Sequence, residues 1–358
     1  MRPVYLLGAF VPVAVALDLA DATPAAVFAT SALAIVPAAA VMSEGTEELA
    51  ARSGPGIGGL VNVTFGNAPE LIIAIFALGD GLQEVVKATL VGSILGNCLL
   101  VLGAAMLAGG LKRDRQTFGR TAAQTQAALL LVTVAALVLP SVLPLARHSG
   151  LPTVGQLRHT YGTDLETVSF AVAIVLIATY LAGLAFSLRT HRDLFNPREE
   201  QLTAQTWSTR RSVAVLAVSG ALVAGMSEIL VGSIEHAARD IGVSQFFLGA
   251  FVVAIVGNAA EHYVAVVAAA KDKMDLAVNI ALGSSAQIGL FVAPILVLLS
   301  SFVGPFPMAL VFNPYEIAGL IAAGLVTAAV VADGESTWFE GVQLLAVYAV
   351  IGIVFYVA

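Results

Sequence analysis

The stretch Gly66-Asn67-Ala68-Pro69-Glu70 lies in otherwise apolar sequence, and Gly257-Asn258-Ala259-Ala260-Glu261 repeats it 191 residues later. A carboxylate within a membrane span is costly, and it usually handles an ion or a proton. The same offset aligns Gly92-Ser93 with Gly283-Ser284. Two carboxylates at matching points of a duplicated chain predict a single site that is assembled from both halves.

Composition places the chain among polytopic membrane proteins. Of its 358 residues, 58% are hydrophobic and 11% are charged, whereas about 25% of the residues in a soluble domain are charged. The formal net charge of −7 says little about partners, and nothing in the sequence points to nucleic acid. The lone Cys98 excludes a disulfide framework, and we interpret it as a packing residue.

Apolar runs long enough to cross a bilayer predict an all-α fold with about eleven transmembrane helices, an N-terminal helix plus two five-helix repeats. The predicted spans are 3–20, 25–49, 57–79, 84–109, 122–144, 165–188, 211–238, 244–270, 275–301, 313–332 and 338–357. If the N-terminus is cytoplasmic, 13 of the 17 lysines and arginines fall on that side. The positive-inside rule then predicts a cytoplasmic N-terminus and an external C-terminus.

The repeat predicts the domain organisation. An N-terminal helix occupies 1–22, the first five-helix repeat 23–188, a basic cytoplasmic linker 189–210 and the second repeat 211–358. An odd number of crossings per repeat makes the second copy run in the opposite sense. Inverted repeats of this kind are typical of secondary transporters, whose substrate site lies near the bilayer midplane between the repeats.

The first motif predicts a broken helix. Pro69 has no N–H, so the carbonyl of Phe65 loses its helical partner, and Gly66 relieves the crowding there. A carbonyl that is freed inside a bilayer must be satisfied by another group, and a cation in a cavity can do so. Because the second motif has Ala260 in place of the proline, the break is predicted more firmly for the first half.

The oxygen atoms of the two motifs favour a hard divalent cation. Asn67 and Asn258 supply neutral carbonyl oxygens, and Glu70 and Glu261 supply carboxylate oxygens. Ca²⁺ takes about 6–8 oxygen ligands of this kind, including water. No cluster of Cys or His has metal-ligand spacing, which argues against a site for softer metals. The predicted metal ligands are therefore Glu70 and Glu261.

The same two carboxylates predict coupling to protons. Without a cation they repel each other in a poorly hydrated place, and both effects favour protonation. Ca²⁺ and protons then compete for the same oxygens. If only the loaded forms switch between inward- and outward-facing states, a proton gradient drives Ca²⁺ out of the cytoplasm. A buried, helix-stabilising role for the glutamates is the alternative.

Further polar and acidic residues follow the repeat. The residues predicted to support the site are Phe65, Ser93, Asn97, His262, Ser284, Ser285 and Gln287. Hydrogen bonds between closely packed helices are the alternative role for the serines, Asn97 and Gln287. The acidic residues predicted to line the access routes are Glu44, Glu48, Glu228 and Glu235, for which solvated helix ends are the alternative. Lys87, near the outer end of a span, is expected to snorkel to the interface.

These motifs, with Val91-Gly92-Ser93-Ile94-Leu95-Gly96-Asn97 and Ala281-Leu282-Gly283-Ser284-Ser285-Ala286-Gln287, resemble the signature repeats of the cation/proton exchanger branch of the calcium/cation antiporter superfamily. The resemblance covers nearly the whole chain. It implies Ca²⁺/H⁺ antiport, with Glu70 and Glu261 as the central residues, and ten core helices plus an N-terminal one. The short N-terminus and the basic linker point to a compact prokaryotic form in the inner membrane.

The resemblance implies no cofactor and no enzymatic activity. The expected partners are Ca²⁺ and protons as substrates together with the lipid bilayer, and the sequence leaves open whether the protein is a homo-oligomer. A Na⁺-coupled exchanger or a cation channel of similar build is the second hypothesis. An intramembrane hydrolase with Glu70 and Glu261 as an acid/base pair is the third, although a nucleophile motif and a His-Glu-x-x-His motif are missing from the sequence.

Overall fold

The fold is known from a computed structural model that describes residues 3–53, 58, 61–62, 64–155, 162–187 and 207–358. Most of the predicted linker, residues 189–206, lies outside the described residues. The helices within the described part are α1 Val4–Leu19, α2 Pro24–Arg52, α3 Ala68–Gly79, α4 Gln83–Gly110, α5 Arg120–Ala146, α6 Thr163–Ala185, α7 Thr209–Ile241, α8 Gln245–Ala270, α9 Met274–Leu299, α10 Pro314–Val330 and α11 Trp338–Val357. The strands are β1 Gln116–Thr117 and β2 Glu335–Ser336.

The predicted class is confirmed. Within the described residues, 8 helices are long and apolar enough to cross a membrane, and α1, α3 and α10 are shorter apolar helices. The chain is therefore an all-α polytopic membrane protein apart from one two-residue ladder, in which Gln116 pairs with Ser336. The number of crossings stays a prediction, because length and composition alone do not fix it.

The chain forms two compact units whose boundaries differ from those of the sequence repeats. Unit 1 comprises Met1–Asp80, Leu181–Val243 and Val256–Ala260, and unit 2 comprises Gly81–Tyr180, Ser244–Ile255 and Glu261–Ala358. Each unit therefore draws helices from both predicted repeats. The division of the chain into repeats at 23–188 and 211–358 stays a prediction from the sequence.

Unit 1 is built around the two longest helices, α2 and α7, which pack along each other. A Cβ on Gly45 of α2 would lie 3.2 Å from Cγ of Leu216 on α7, so the glycine lets the helices approach closely. Helix α3 packs onto this pair through Ala68, which lies in an apolar cluster with Met42 and Val223. Small residues at such contacts are typical of helix packing in membranes.

Three connections meet at one end of unit 2. Strand β1, between α4 and α5, pairs antiparallel with β2, between α10 and α11. Arg113 forms an ion pair with Asp272 of the α8–α9 connection at 3.3 Å, and the side-chain amide of Gln116 donates to the same aspartate at 2.8 Å. These contacts agree with spans that cross in alternation, because alternation places the three connections on one side.

Residues 308–312, which lead into α10, are fully buried although they are not helical. Backbone polar groups buried away from water need partners, and serine hydroxyls from three places in unit 2 accept from every second amide. The pairs are Met308 N to Ser300 Oγ at 2.7 Å, Leu310 N to Ser169 Oγ at 2.9 Å and Phe312 N to Ser141 Oγ at 2.9 Å. Three amides of the segment are thus satisfied by side chains instead of a helical ladder.

Lys87 holds the same segment, and the prediction that it snorkels to the interface is wrong. Its side chain is only 6% exposed, and Nζ donates to the carbonyl of Val311 at 2.8 Å. The buried Glu316 caps α10 by accepting from the amide of Asn313 at 2.7 Å. The lysine turns inward because the extended backbone offers its ammonium group an acceptor that a helical neighbour would not.

We expect Ser169→Ala to destabilise the protein by about 1–3 kcal/mol, because it leaves the buried amide of Leu310 without its acceptor. The matched control is Ser219→Ala on α7. Ser219 is equally buried, but its hydroxyl donates to the carbonyl of Val215 in its own helix at 2.7 Å. The measurement is the midpoint of thermal unfolding in detergent, and equal shifts for the two variants would contradict the role assigned to Ser169.

Candidate cation-binding site

The first motif interrupts its helix as predicted. Residues 64–66 are helical, Asn67 forms a turn with φ −96° and ψ 18°, and α3 begins at Ala68 with Pro69 in its first turn. Proline is favoured there because its missing N–H would have had no helical acceptor. Phe65 is 39% exposed, so the break lies next to an accessible residue.

The second motif lies in a continuous stretch of helix, residues Ala254–Ala270 of α8. This difference from the first motif is the one that the Pro69/Ala260 exchange predicts. A π-helical stretch, Leu248–Val253, precedes the motif. Short π-helical stretches occur often at functional sites, and here the irregularity lies one turn ahead of Gly257.

Glu70 is buried within unit 1, with 5% of its surface exposed. Its side chain lies against Gly257, so that a Cβ on the glycine would be 3.2 Å from Cγ and 3.4 Å from Oε1 of Glu70. Asn67 and Asn258 are also buried in this unit. The structure therefore places the carboxylate of the first motif on the backbone of the second.

Glu261 belongs to unit 2 and is half-buried. Ser284 of α9 donates to its Oε2 at 2.5 Å. Hydrogen bonds to a charged acceptor are short and strong, so Ser284 fixes the orientation of the carboxylate. His262 is also partly buried, and its Cε1 lies 3.9 Å from where a Cβ on Gly96 would be; it faces α4 within unit 2.

The other predicted supporting residues lie in unit 2. Ser93, Asn97 and Ser285 are buried and Gln287 is half-buried. Cys98 is fully buried, as its interpretation as a packing residue requires, and its thiol also donates to Ser285 Oγ at 3.1 Å. This bond joins α4 to α9, and the apolar surroundings of Cys98 in the sequence gave no signal of it.

The helices that follow the two motifs share an irregularity. A π-helical stretch occupies Gly96–Val101 in α4 and Ile288–Val292 in α9. The offset of 191 residues brings these stretches into register. Both begin beside a predicted supporting residue, Asn97 in α4 and Gln287 in α9. The two halves therefore repeat a backbone feature as well as a sequence motif.

The acidic pair on α2 is half-buried and bonded. Tyr5 donates its hydroxyl to Glu44 Oε1 at 2.5 Å, and the amide of Trp207 donates to Glu48 Oε2 at 3.2 Å. Both bonds lie within unit 1. Glu44 is thereby tied to the start of α1 and Glu48 to the segment that leads into α7.

The two acidic residues on α7, Glu228 and Glu235, lie in different surroundings. Glu228 lines a cavity of about 590 Å³ in unit 1 together with Asp18, Asp21 and His236. Glu235 instead pairs with Arg239 at 3.1 Å, one turn along the same exposed helix face. The sequence analysis missed Asp18 and Asp21. The predicted topology could have indicated them, because it puts the α1–α2 connection on the same side as Glu228.

Among the described residues, no three His, Cys, Asp or Glu side chains converge as a metal site. The oxygen atoms that a hard divalent cation requires are instead carried by residues of each unit separately. Asn67 and Glu70 in unit 1 and Glu261 with Ser284 in unit 2 supply oxygen atoms of the required hard type.

A helical, multi-pass chain with matching polar motifs in its two halves is typical of membrane transporters. The chain belongs to the sodium/calcium exchanger protein family, whose sequence pattern matches residues 23–189 and 211–357. It is 42% identical over 350 residues to a Ca²⁺/H⁺ antiporter of Synechocystis sp., covering 92% of this chain and 90% of the relative. The predicted resemblance is confirmed.

Two further comparisons cover nearly the full length. The Ca²⁺/H⁺ antiporter ChaA of Bacillus subtilis is 41% identical over 355 residues, which are 98% of this chain and 97% of the relative. The solved structure of native YfkE matches with a TM-score of 0.83 at 39% identity and covers 99% of this chain and 100% of that one. The similarity therefore extends over both motifs and both units.

The Gly-Ser pairs of the two halves predict unequal responses to one substitution. A Cβ on Gly92 would overlap the carbonyl oxygen of Ala250 on α8, whereas one on Gly283 would meet no atom within 4 Å. We expect Gly92→Ala to destabilise the protein by about 1–3 kcal/mol through overpacking. Gly283→Ala is the matched control and leaves the midpoint of thermal unfolding in detergent close to that of the parent. Equal midpoints for the two variants would contradict the packing described for α4 and α8.

Proposed function

We propose that the protein is a secondary active transporter that exchanges Ca²⁺ for H⁺ by alternating access. The observation that carries the proposal is the buried carboxylate of Glu70 packed on Gly257 of the second motif. Glu261 follows Gly257 by four residues in the same helix, and such residues share a helix face. The repeated motif in the sequence, which ends on a glutamate in each half, supports a cation that is bound by both glutamates.

The donor atoms explain the choice of ion. Carboxylate, amide and backbone oxygens suit hard cations such as Ca²⁺, and the flexible coordination of Ca²⁺ tolerates ligands from two segments of the chain. Asn67 and Asn258 are buried in the same unit as Glu70 and are proposed as neutral ligands. The relatives named Ca²⁺/H⁺ antiporters support the same ion.

Protons are the counter-substrate because the carboxylates must be compensated when the cation leaves. Two carboxylates that share a site without a cation repel each other, binding of protons relieves the repulsion, and a returning divalent cation displaces the protons. Ser284 donates to Glu261, which keeps one oxygen of that carboxylate oriented in either state. Exchange follows if the empty, charged site does not cross between the two access states.

The acidic residues of α2 and α7 are proposed as the access routes. Glu44 and Glu48 lie toward the cytoplasmic end of α2 in the predicted topology. Glu228 lines the cavity that Asp18 and Asp21 also face, toward the external side. Carboxylates along an entry path raise the local concentration of cations. Glu235, which pairs with Arg239, is proposed to contribute less to this path than Glu228.

Glu70→Gln and Glu261→Gln are each expected to lower Ca²⁺ uptake driven by a pH gradient in everted vesicles by about 100-fold or more. Each substitution replaces a proposed charged ligand and proton carrier by a neutral amide. Glu166→Gln, at the start of α6 and outside the motifs, is the control and transports like the parent. Parental transport in either motif variant would exclude the shared site.

The same vesicles separate the alternatives. Ca²⁺ flux that requires Na⁺ and ignores the pH gradient would identify a Na⁺-coupled exchanger, and flux that follows the Ca²⁺ gradient alone would identify a channel. Turnover of a peptide or lipid substrate that Glu70→Gln abolishes would identify a hydrolase. The proposal requires uptake that depends on the pH gradient and is the same with and without Na⁺.

The proposed orientation, N-terminus inside a prokaryotic plasma membrane and C-terminus outside, predicts which loops can be labelled. Lys112 and Phe302 are both exposed, in the α4–α5 and α9–α10 connections. A membrane-impermeant maleimide on intact cells is expected to label Phe302→Cys and to spare Lys112→Cys until the cells are broken. The unsubstituted chain is the control, because Cys98 is buried. The reverse labelling pattern would invert the topology.

A further inference from the structure

We propose that Gly257 determines the size of the cation that the site accepts, by leaving room for the carboxylate of Glu70 beside α8. The inference rests on the proposed function, because it assigns Glu70 to the cation. It adds a specificity-determining residue that has neither a side chain nor a charge of its own. The glycine acts as a positioning residue through Glu70.

The contact is made by the glutamate side chain, and it is close along its whole outer half. A Cβ on Gly257 would lie 3.2 Å from Cγ, 3.4 Å from Oε1 and 3.6 Å from Cδ of Glu70. Carbon atoms pack best at about 3.5–4.0 Å. A methyl group at this position is tightest against Cγ, so the side chain of Glu70 must move by a few tenths of an ångström and carries its carboxylate with it.

The packing of the two helices means that the carboxylate moves while the helices stay in place. Gly257 lies inside the continuous helical stretch Ala254–Ala270, where the backbone is held by its own hydrogen bonds. Glu70 is in the first turn of α3, and the neighbouring Ala68 is packed against Met42 and Leu216. With both backbones fixed, the flexible side chain of Glu70 takes up the displacement and turns away from α8.

A displaced carboxylate changes the distances from which it can bind an ion. Ca²⁺ is bound at 2.3–2.6 Å by 6–8 oxygens, whereas smaller divalent cations take fewer oxygens at shorter distances. A carboxylate pushed off the surface of α8 occupies space that the larger ion and its extra ligands need. The parent site, with no side chain at residue 257, is thereby suited to the larger ion.

A described glycine elsewhere in unit 1 lacks this relation. Gly220 of α7 is in the same unit, and a Cβ there would meet no atom within 4 Å. It provides a matched control, because Gly220→Ala changes a helical glycine to alanine in unit 1 without touching a proposed ligand. Any general effect of the substitution on the helix is common to both variants.

The experiment measures KM for Ca²⁺ and for Mn²⁺, a smaller hard cation, in proteoliposomes of purified protein under an imposed pH gradient. Gly257→Ala is expected to raise the ratio of the KM for Ca²⁺ to the KM for Mn²⁺ by about fivefold, so that the variant favours Mn²⁺ more than the parent does. This is the scale of effect for a displacement well below 1 Å. Gly220→Ala keeps the parental ratio. A ratio taken on one preparation does not change when part of the protein is unfolded.

A second variant tests the inference from the other side of the contact. Glu70→Asp withdraws the carboxylate by one methylene group, so the ratio of the KM for Ca²⁺ to the KM for Mn²⁺ is expected to fall. The KM for Sr²⁺, a larger ion, is expected to fall relative to that for Mn²⁺ as well. This variant decides the question if Gly257→Ala yields no folded transporter. Parental ratios in the variants that fold would overturn the role of Gly257. Absence of proton-coupled Ca²⁺ transport by the unsubstituted protein would instead overturn the proposed function.

Discussion

The constraint on which the rest of this structure depends is that a polar group inside a bilayer must find its partner within the protein. Regular helices satisfy this constraint through their own backbone hydrogen bonds. Two described segments depart from regular helix. Residues 308–312 are bonded by three serine hydroxyls and by Lys87. The break at Asn67 comes where Pro69 removes a donor. At these two places specific side chains accompany the departure, whereas the π-helical stretches of α4, α8 and α9 are continuous with their helices.

The same constraint gives the candidate site its chemistry. Glu70 is buried at the start of α3, where free helix amides favour negative charge, and Glu261 is held by the hydroxyl of Ser284. Glu70 thus follows the break at Asn67, whereas Glu261 lies within the continuous helical stretch Ala254–Ala270.

Glycine has two uses in this chain that look alike in the sequence. Gly92 and Gly103 allow backbones to approach, since a Cβ on either would meet the main chain of a neighbouring helix. Gly257 instead meets the side chain of a proposed ligand. Gly283, which the repeat aligns with Gly92, meets no atom within 4 Å. The motif pattern alone therefore does not tell which of its glycines lies against a neighbouring backbone and which lies against a glutamate side chain.

The sequence by itself determined the class, the approximate spans, the break at Pro69 and the family, because apolar length, proline chemistry and the repeated motif are local properties. It did not indicate that Lys87 turns inward or that Cys98 bonds Ser285, since both depend on acceptors far away in the chain. The packing of Glu70 on Gly257 also joins distant residues. Only the tertiary structure decided these contacts, because a buried polar side chain takes whichever partner the folded helices bring within hydrogen-bonding distance.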